Sequence, residues 1–397
     1  MAKILLAWEA GAFLGHEMLV TAAAVLLRGA GHDVVVRAPA DTPINDPARR
    51  AGLRWAGMPA IDDGGAPSTG VPWESRATTL WNFGFHSAEV LESRFRAWDA
   101  ALHQEQPDVA VLQAAPYAQL AARVAGVPSV EFGIGFDVPP RRAPFPPFRN
   151  AETFDPSTAM RFEHAILERL RRTLGPAADR PLHALVSGDR RLAVSVPELD
   201  HYDGADDPSR EFLGPLPVVE WSEARPAWQR GRPRVLAYVR APLLDAPALV
   251  RAVGALRGDA VVVCLGADAD TVALARKLGV RLHTKPVSFG DLLPGADIVV
   301  SHGGGLMSEA VIRGRPCLAI PTHYEQFMTA STLKRRGLGA MLNPREPALY
   351  ERALRHVLAH PELRHNAAAV ALRHRTTADH AGPAFVAAVE ATIEENR

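Results

Sequence analysis

The chain alternates short unbroken apolar runs with stretches in which apolar residues recur every three or four positions. "KILLAW" shows no alternation, the pattern of a strand covered on both faces, and "EMLVTAAAVLLRGAG" has a helical period closed at Gly31. "HDVVVRAP" predicts the next strand, and the three together make a parallel βαβ unit with a right-handed crossover. The pattern returns in "DVAVLQ", "YAQLAARVAG" and "VPSVEF". It breaks at 214–234, a stretch with four prolines, and restarts with "VLAYV", "PALVRAVGAL", "AVVVCLG", "DTVALARKLG" and "ADIVV". An α/β fold of two Rossmann-like domains is expected, with parallel sheets facing a central cleft and ligands at the strand carboxyl ends. The expected boundaries are 1–215 for the first domain, 216–232 for a linker, 233–375 for the second domain and 376–397 for a last helix packing back on the first.

Size and composition agree with this reading. At 397 residues the chain is longer than one core usually supports, and 47% hydrophobic with 22% charged residues is ordinary globular composition. Basic and acidic residues both number 44, which leaves no footprint for a nucleic-acid partner. The two cysteines, Cys264 and Cys317, sit in strand-like apolar runs and read as buried thiols in a reducing compartment. "MAKILLAWEAG" is too weak for a signal peptide, and no stretch approaches a membrane span, so a cytoplasmic protein is expected.

Candidate chemistry concentrates in "ADIVVSHGGGLMSEA". A strand ends, glycines follow, and a helix begins, so free backbone amides and the positive end of a helix dipole point the same way. Gly303, Gly304 and Gly305 would hold a diphosphate, with His302 and Ser308 adding hydrogen bonds and Glu309 accepting from ribose hydroxyls. The same residues also suit a plain glycine turn. After "PCLAIP", Glu325 and Gln326 stand at a strand end, where paired polar side chains suit the hydroxyls of a sugar. "GADAD" at 266–270 reads as a surface turn rather than a metal site.

With "HGG…SEA…GRP…IP…EQ" in place, the chain resembles the nucleotide-sugar-dependent glycosyltransferases of the two-domain GT-B type, the bacterial relatives of UDP-glucuronosyl and antibiotic glycosyltransferases. "GHEMLVTAAAVLLRGAGHDV", "PDVAVLQ…AARVAGVPSV" and "LLPGADIVVSHGG" extend the resemblance over most of the chain. It implies an inverting, metal-independent transfer of a hexose from a UDP- or dTDP-sugar to a hydroxyl of an apolar small molecule, with no cofactor. His16, at the helix start, would be the general base. The turn near Val287 would read the pyrimidine through backbone groups, which leaves uracil and thymine undistinguished. "DVPPRRAPFPPFRN", with five prolines, would be a lid or an acceptor wall, and Trp81, Phe83, His86 and Phe136 would meet the acceptor.

Three departures from the family pattern stand out. Relatives commonly place an aspartate where this chain has Gln113, and an amide cannot offset an imidazolium. Glu9 and Glu131, at strand ends, are the candidate replacements. His302 and Glu309 are seven residues apart where relatives usually have eight, and Arg240 stands where a small residue is common. Arg240 would supply a charge-assisted phosphate contact or point to solvent. These departures motivate an alternative, a catalytically silent GT-B protein that binds a nucleotide sugar or activates a partner enzyme; a homodimer stays open.

Overall fold

A computed structural model describes all residues except 12–13, 59–68, 149–154, 203–206, 218–223 and 230, so part of the expected linker lies outside the described residues. The chain forms two compact units. The first comprises Met1–Ser195, His201–Pro217 and Asp379–Arg397, and the second Val196–Asp200 and Val218–Ala378. The short segment Val196–Asp200, expected in the first domain, belongs to the second unit: Val196 and Leu199 enter its core, and Glu198 pairs with Arg373 and His374.

The first unit is built on seven strands: β1 (Lys3–Trp8), β2 (Asp33–Pro39), β3 (Arg54–Met58), β4 (Val109–Gln113), β5 (Ser129–Gly133), β6 (Arg190–Ala193) and β7 (Arg210–Phe212). All pair in parallel, in the order β3-β2-β1-β4-β5-β6-β7. Strand order therefore reverses between β1 and β4, where Trp8 registers with Gln113. β4 is buried along its whole length, as an unbroken apolar run requires when helices cover both faces. The helices Ala88–Glu105 and Pro116–Ala125 cover one face through Leu91, Trp98, Leu102 and Leu120.

The last helix, Thr377–Glu395, belongs to this unit from Asp379 onward. Phe385 packs edge-on against Phe132 of β5 with ring centroids 5.1 Å apart, and Glu390 and Glu395 pair with His32 (3.2 Å) and Arg190 (2.8 Å).

The second unit has six parallel strands: β8 (Arg234–Arg240), β9 (Asp259–Leu265), β10 (Arg281–His283), β11 (Ile298–Ser301), β12 (Cys317–Ala319) and β13 (Gly339–Met341), in the order β10-β9-β8-β11-β12-β13. Alternate residues serve opposite faces: Val235, Ala237, Val262 and Val300 enter one core, while Leu236, Val261 and Val299 enter the other. Cys264 and Cys317 lie one in each core as free thiols, and burial pushes them up to about 11 and about 12. Asp268 of "GADAD" caps the helix Ala269–Lys277, its carboxylate accepting from the Thr271 amide at 2.8 Å. Among the described residues no helix is long and apolar enough to cross a membrane.

Candidate active site

In the first unit, polar side chains gather where strand order reverses. His16 lies in the first turn of the helix Leu14–Gly29, half-buried, with its ring stacked on Trp8 at 6.1 Å between centroids and 14° between planes. Its Nδ1 meets the Gln113 carboxamide, 3.2 Å from Oε1 and 2.8 Å from Nε2. The other edge of the ring rests on Gly11, where a side-chain Cβ would fall 2.3 Å from Nε2. Gln113 is fully buried, and its Nε2 also donates to Oδ2 of Asp137 at 3.1 Å. Asp137 is 4% exposed. Burial pushes its carboxyl above the usual range, against the pull of the His16 and Arg76 charges and the Gln113 amide.

The two glutamates expected beside His16 are engaged elsewhere. Glu9 accepts from the Tyr117 (3.1 Å) and Ala118 (2.5 Å) amides and so caps the helix Pro116–Ala125; burial raises its carboxyl to about 8. Glu131 pairs with the buried Arg191 at 3.2 Å and accepts from the Gly188 amide. Neither serves as the partner of His16, because each satisfies buried donors of its own. Gln113, which meets His16, instead reaches Asp137, a contact that sequence reasoning missed. Asp137 stands in the loop after β5, the strand beside β4, and that strand-end placement is the signal that could have found it.

In the second unit, the corresponding reversal lies between β8 and β11. The helix Gly305–Ile312 starts from Gly304, whose φ of 70° suits glycine, and Gly305 is exposed while Gly303 and Gly304 are half-buried. Backbone amides at this helix start can therefore receive an anion.

His302 does not face it. Its Nε2 accepts from the Arg240 amide at 2.9 Å, so Nδ1 carries the hydrogen and donates to the Ile320 carbonyl at 2.8 Å. Both nitrogens are committed and the residue is 5% exposed, which corrects the expectation of a phosphate donor. Burial holds its pKa below 6.5, helped by the nearby Arg240 charge. Arg240 closes β8, and it is its backbone amide that binds His302.

Ser308 is buried, and Glu309 is buried and paired with Arg313 one turn on, its carboxyl raised to about 7 by burial. A ribose contact by Glu309 would have to share that pair. Gln326 accepts at Oε1 from the Thr322 amide and hydroxyl, both at 3.0 Å, which fixes the orientation of its carboxamide. Gly303 lets the chain approach Gln326, since a Cβ there would meet Gln326 Cβ at 3.2 Å. Glu325 is half-buried in the first turn of the helix Tyr324–Arg335, and Val287 is 6% exposed.

No family model and no curated protein matches the chain. Solved structures do. The chain is similar to CalG4, the calicheamicin glycosyltransferase, over 99% of its own length and 98% of that chain, at 20% identity and a TM-score of 0.69. It is similar to the spinosyn rhamnosyltransferase SpnG complexed with thymidine diphosphate over 98% and 100%, at 20% identity and a TM-score of 0.66. It is similar to the glycosyltransferase VinC in complex with dTDP over 98% and 100%, at 19% identity and a TM-score of 0.63. The chain has the GT-B fold.

The aromatic residues expected on the acceptor side of this GT-B chain are largely packed within its first unit. Trp81 lies edge-on to Phe162 at 5.1 Å under the Arg169 guanidinium, and His86 Nδ1 is held by the Trp81 carbonyl at 2.8 Å. Phe83 meets Trp73 edge-on at 5.7 Å, and its carbonyl accepts from the Tyr117 hydroxyl at 3.0 Å. Phe136, 8% exposed, stacks on Phe148 at 4.7 Å. Phe145 and Phe148 are fully buried, so "FPPF" is core rather than an open acceptor wall. Apolar side chains beside five prolines bury themselves where the loop can fold back, and here Phe148 N–H donates to the Glu74 carbonyl at 2.8 Å.

Proposed function

We propose that this protein is an inverting, metal-independent glycosyltransferase that moves a hexose from a nucleoside-diphosphate sugar to a hydroxyl of an apolar small molecule. The observation that carries the reading is His16, a half-buried imidazole at the strand reversal of the first sheet with Nδ1 against a buried amide and its opposite edge on a glycine. Nε2 takes the acceptor proton as the acceptor oxygen attacks the anomeric carbon from the face opposite the leaving group. The bond from that carbon to the diphosphate breaks, and its electron pair leaves with the phosphate oxygen. Amides at Gly304 and Gly305, the helix dipole and the Arg240 guanidinium would stabilise the departing charge. Gln326 and Glu325 would hold the sugar.

The similar proteins favour a thymidine-diphosphate-linked donor: SpnG and VinC are seen with that nucleotide, and SpnG also with the spinosyn aglycone. The silent-protein alternative rested on the shortened glycine loop and on Gln113 standing where an acid was expected, and only the second ground is touched by the structure. Asp137 stands 3.1 Å from that amide, which weakens that ground.

Incubation with dTDP-glucose and UDP-glucose across a panel of hydroxylated polyketides and phenols should give a product heavier by one hexose by mass spectrometry, and His16→Ala should abolish it. Product formation unaltered by that change would remove His16 as the base. Tight nucleotide binding without any product across the panel would favour the silent protein.

A further inference from the structure

We propose that the acceptor carries a carboxylate as well as the hydroxyl that is glycosylated, and that Arg76 receives it. The proposal rests on the transferase reading above and narrows its acceptor to a hydroxy acid.

Arg76 opens the buried helix Arg76–Leu80 and is 3% exposed. Its backbone is fixed from the preceding turn, where Ser75 bridges to Pro147 and the Glu74 carbonyl accepts from Phe148 N–H at 2.8 Å. Three other arginines of the first unit are buried, and each is held. Glu105 binds Arg37, Glu131 and Asp207 bind Arg191, and the Val138 carbonyl binds Arg210. Arg76 differs. Its Nε is shut away from solvent without a hydrogen-bond partner, and among the described residues none is bonded to its terminal nitrogens. An arginine guanidinium carries five donors and a permanent charge, so taking it out of water with none of them bonded is costly. Packing alone would be served better by a methionine or a leucine.

Two carboxyls feel this charge, and both are committed to other donors. Asp137 accepts from the Gln113 amide at 3.1 Å, and Glu9 from the Tyr117 and Ala118 amides. Burial raises both, Glu9 to about 8, so Glu9 is largely uncharged at neutral pH and offsets little. Arg94, half-buried, adds a second positive charge near Glu9. This end of the first sheet therefore holds more positive than negative charge, and an anionic ligand would balance it.

The anion belongs to the acceptor by position. Arg76 lies in the unit that carries His16, whereas the glycine amides suited to a diphosphate lie in the other. Gln113 joins Asp137 to His16, so the field of Arg76 falls on the surroundings of the imidazole. Glu9 also lines a cavity of about 370 Å³, counting the part open to solvent, with Trp8, Met58, Arg94, Trp98 and Tyr117. Such walls suit a flat apolar skeleton, and the planar guanidinium can bind both oxygens of a carboxylate on it.

The test compares acceptors that differ only in charge. Hydroxybenzoate, hydroxyphenylpropanoate and hydroxynaphthoate would each be set against its methyl ester, with dTDP-glucose and UDP-glucose as donors. The wild type should use at least one acid with kcat/KM about ten- to hundredfold above its ester, the range of hydrogen bonds to a charged group. Arg76→Met should abolish that difference, and Arg76→Lys, which keeps the charge and loses the fork, should retain part of it. Equal use of acid and ester by a wild type that transfers sugar would overturn the proposal and leave the transferase reading standing. Calorimetry of the acids alone needs no turnover: they should bind the wild type and not Arg76→Met. That result in a protein that transfers nothing would remove the transferase reading and keep Arg76 as a carboxylate site, while acids that bind neither protein, or both alike, would overturn the proposal. Affinity for dTDP should not follow the substitution, and its loss in Arg76→Met would move the anion to the donor and overturn the assignment. In urea without ligand, Arg76→Met should unfold at the same or a higher concentration, because an unbonded buried cation has been removed. A lower midpoint with the preference for acids retained would make Arg76 a structural cation and overturn the proposal.

Discussion

His16 and His302 each have Nδ1 occupied within the protein, and only their second nitrogens differ in use. His302 spends Nε2 on a backbone amide, whereas His16 sets its own against a glycine. Gly11 is therefore as much part of the site as the imidazole: its φ is 97° and a methyl there would lie 2.3 Å from His16 Nε2. Gly11→Ala should lower kcat by about tenfold or more through misplacement of the ring. It should also lower stability by about 1–3 kcal/mol through the forced backbone conformation. Initial rates and urea midpoints would read the two effects apart, and a variant with normal kcat would show that the ring has room to move. The same contact explains what the sequence showed and what it hid. His16 and Gln113 were legible because each ends or follows a strongly patterned element. Asp137 was not, because its approach to Gln113 depends on a loop whose course is set by Arg191 and Arg210, side chains far along the chain.

At the scale of elements, the strands that could be read were those buried on both faces. β1, β2, β4, β9 and β11 carry buried apolar runs, while β3 ("RWAGM"), β10 ("RLH") and β13 ("GAM") are only partly buried, so no period marks them. What ties the central strands together at their carboxyl ends was also misread: the histidine assigned to a phosphate is a clamp joining the ends of β8, β11 and β12. His302→Ala should leave the Arg240 amide and the Ile320 carbonyl unpaired and cost about 1–3 kcal/mol for each group that stays buried. The loss should appear in thermal unfolding without nucleotide, and a variant as stable as the wild type but weaker for nucleotide would return His302 to the phosphate. Burial holds the His302 pKa below 6.5, so the folded state binds its proton later than the unfolded chain does. The stability its neutral form confers is complete above pH 6.5 and falls as pH drops from there toward the folded value, a decline that His302→Ala should lessen.

For the whole molecule, the path of the chain matters more than the content of either unit. The first unit takes residues from three separate stretches, and the last of these, Asp379–Arg397, supplies Phe385 against Phe132. A fragment of residues 1–217 should accordingly unfold without a sharp transition by circular dichroism. Addition of a peptide spanning 377–397 should sharpen that transition, and a fragment that unfolds cooperatively alone would show the helix to be dispensable. His32 marks the joint, with Nδ1 near the Ala2 amide at 3.3 Å and Nε2 against Glu390 at 3.2 Å. On the ribosome this reverses the usual sequence, in which the amino-terminal domain finishes first. The last strand of the second sheet emerges before the helix that completes the first, so the half of the protein that carries His16 is begun earliest and closed last.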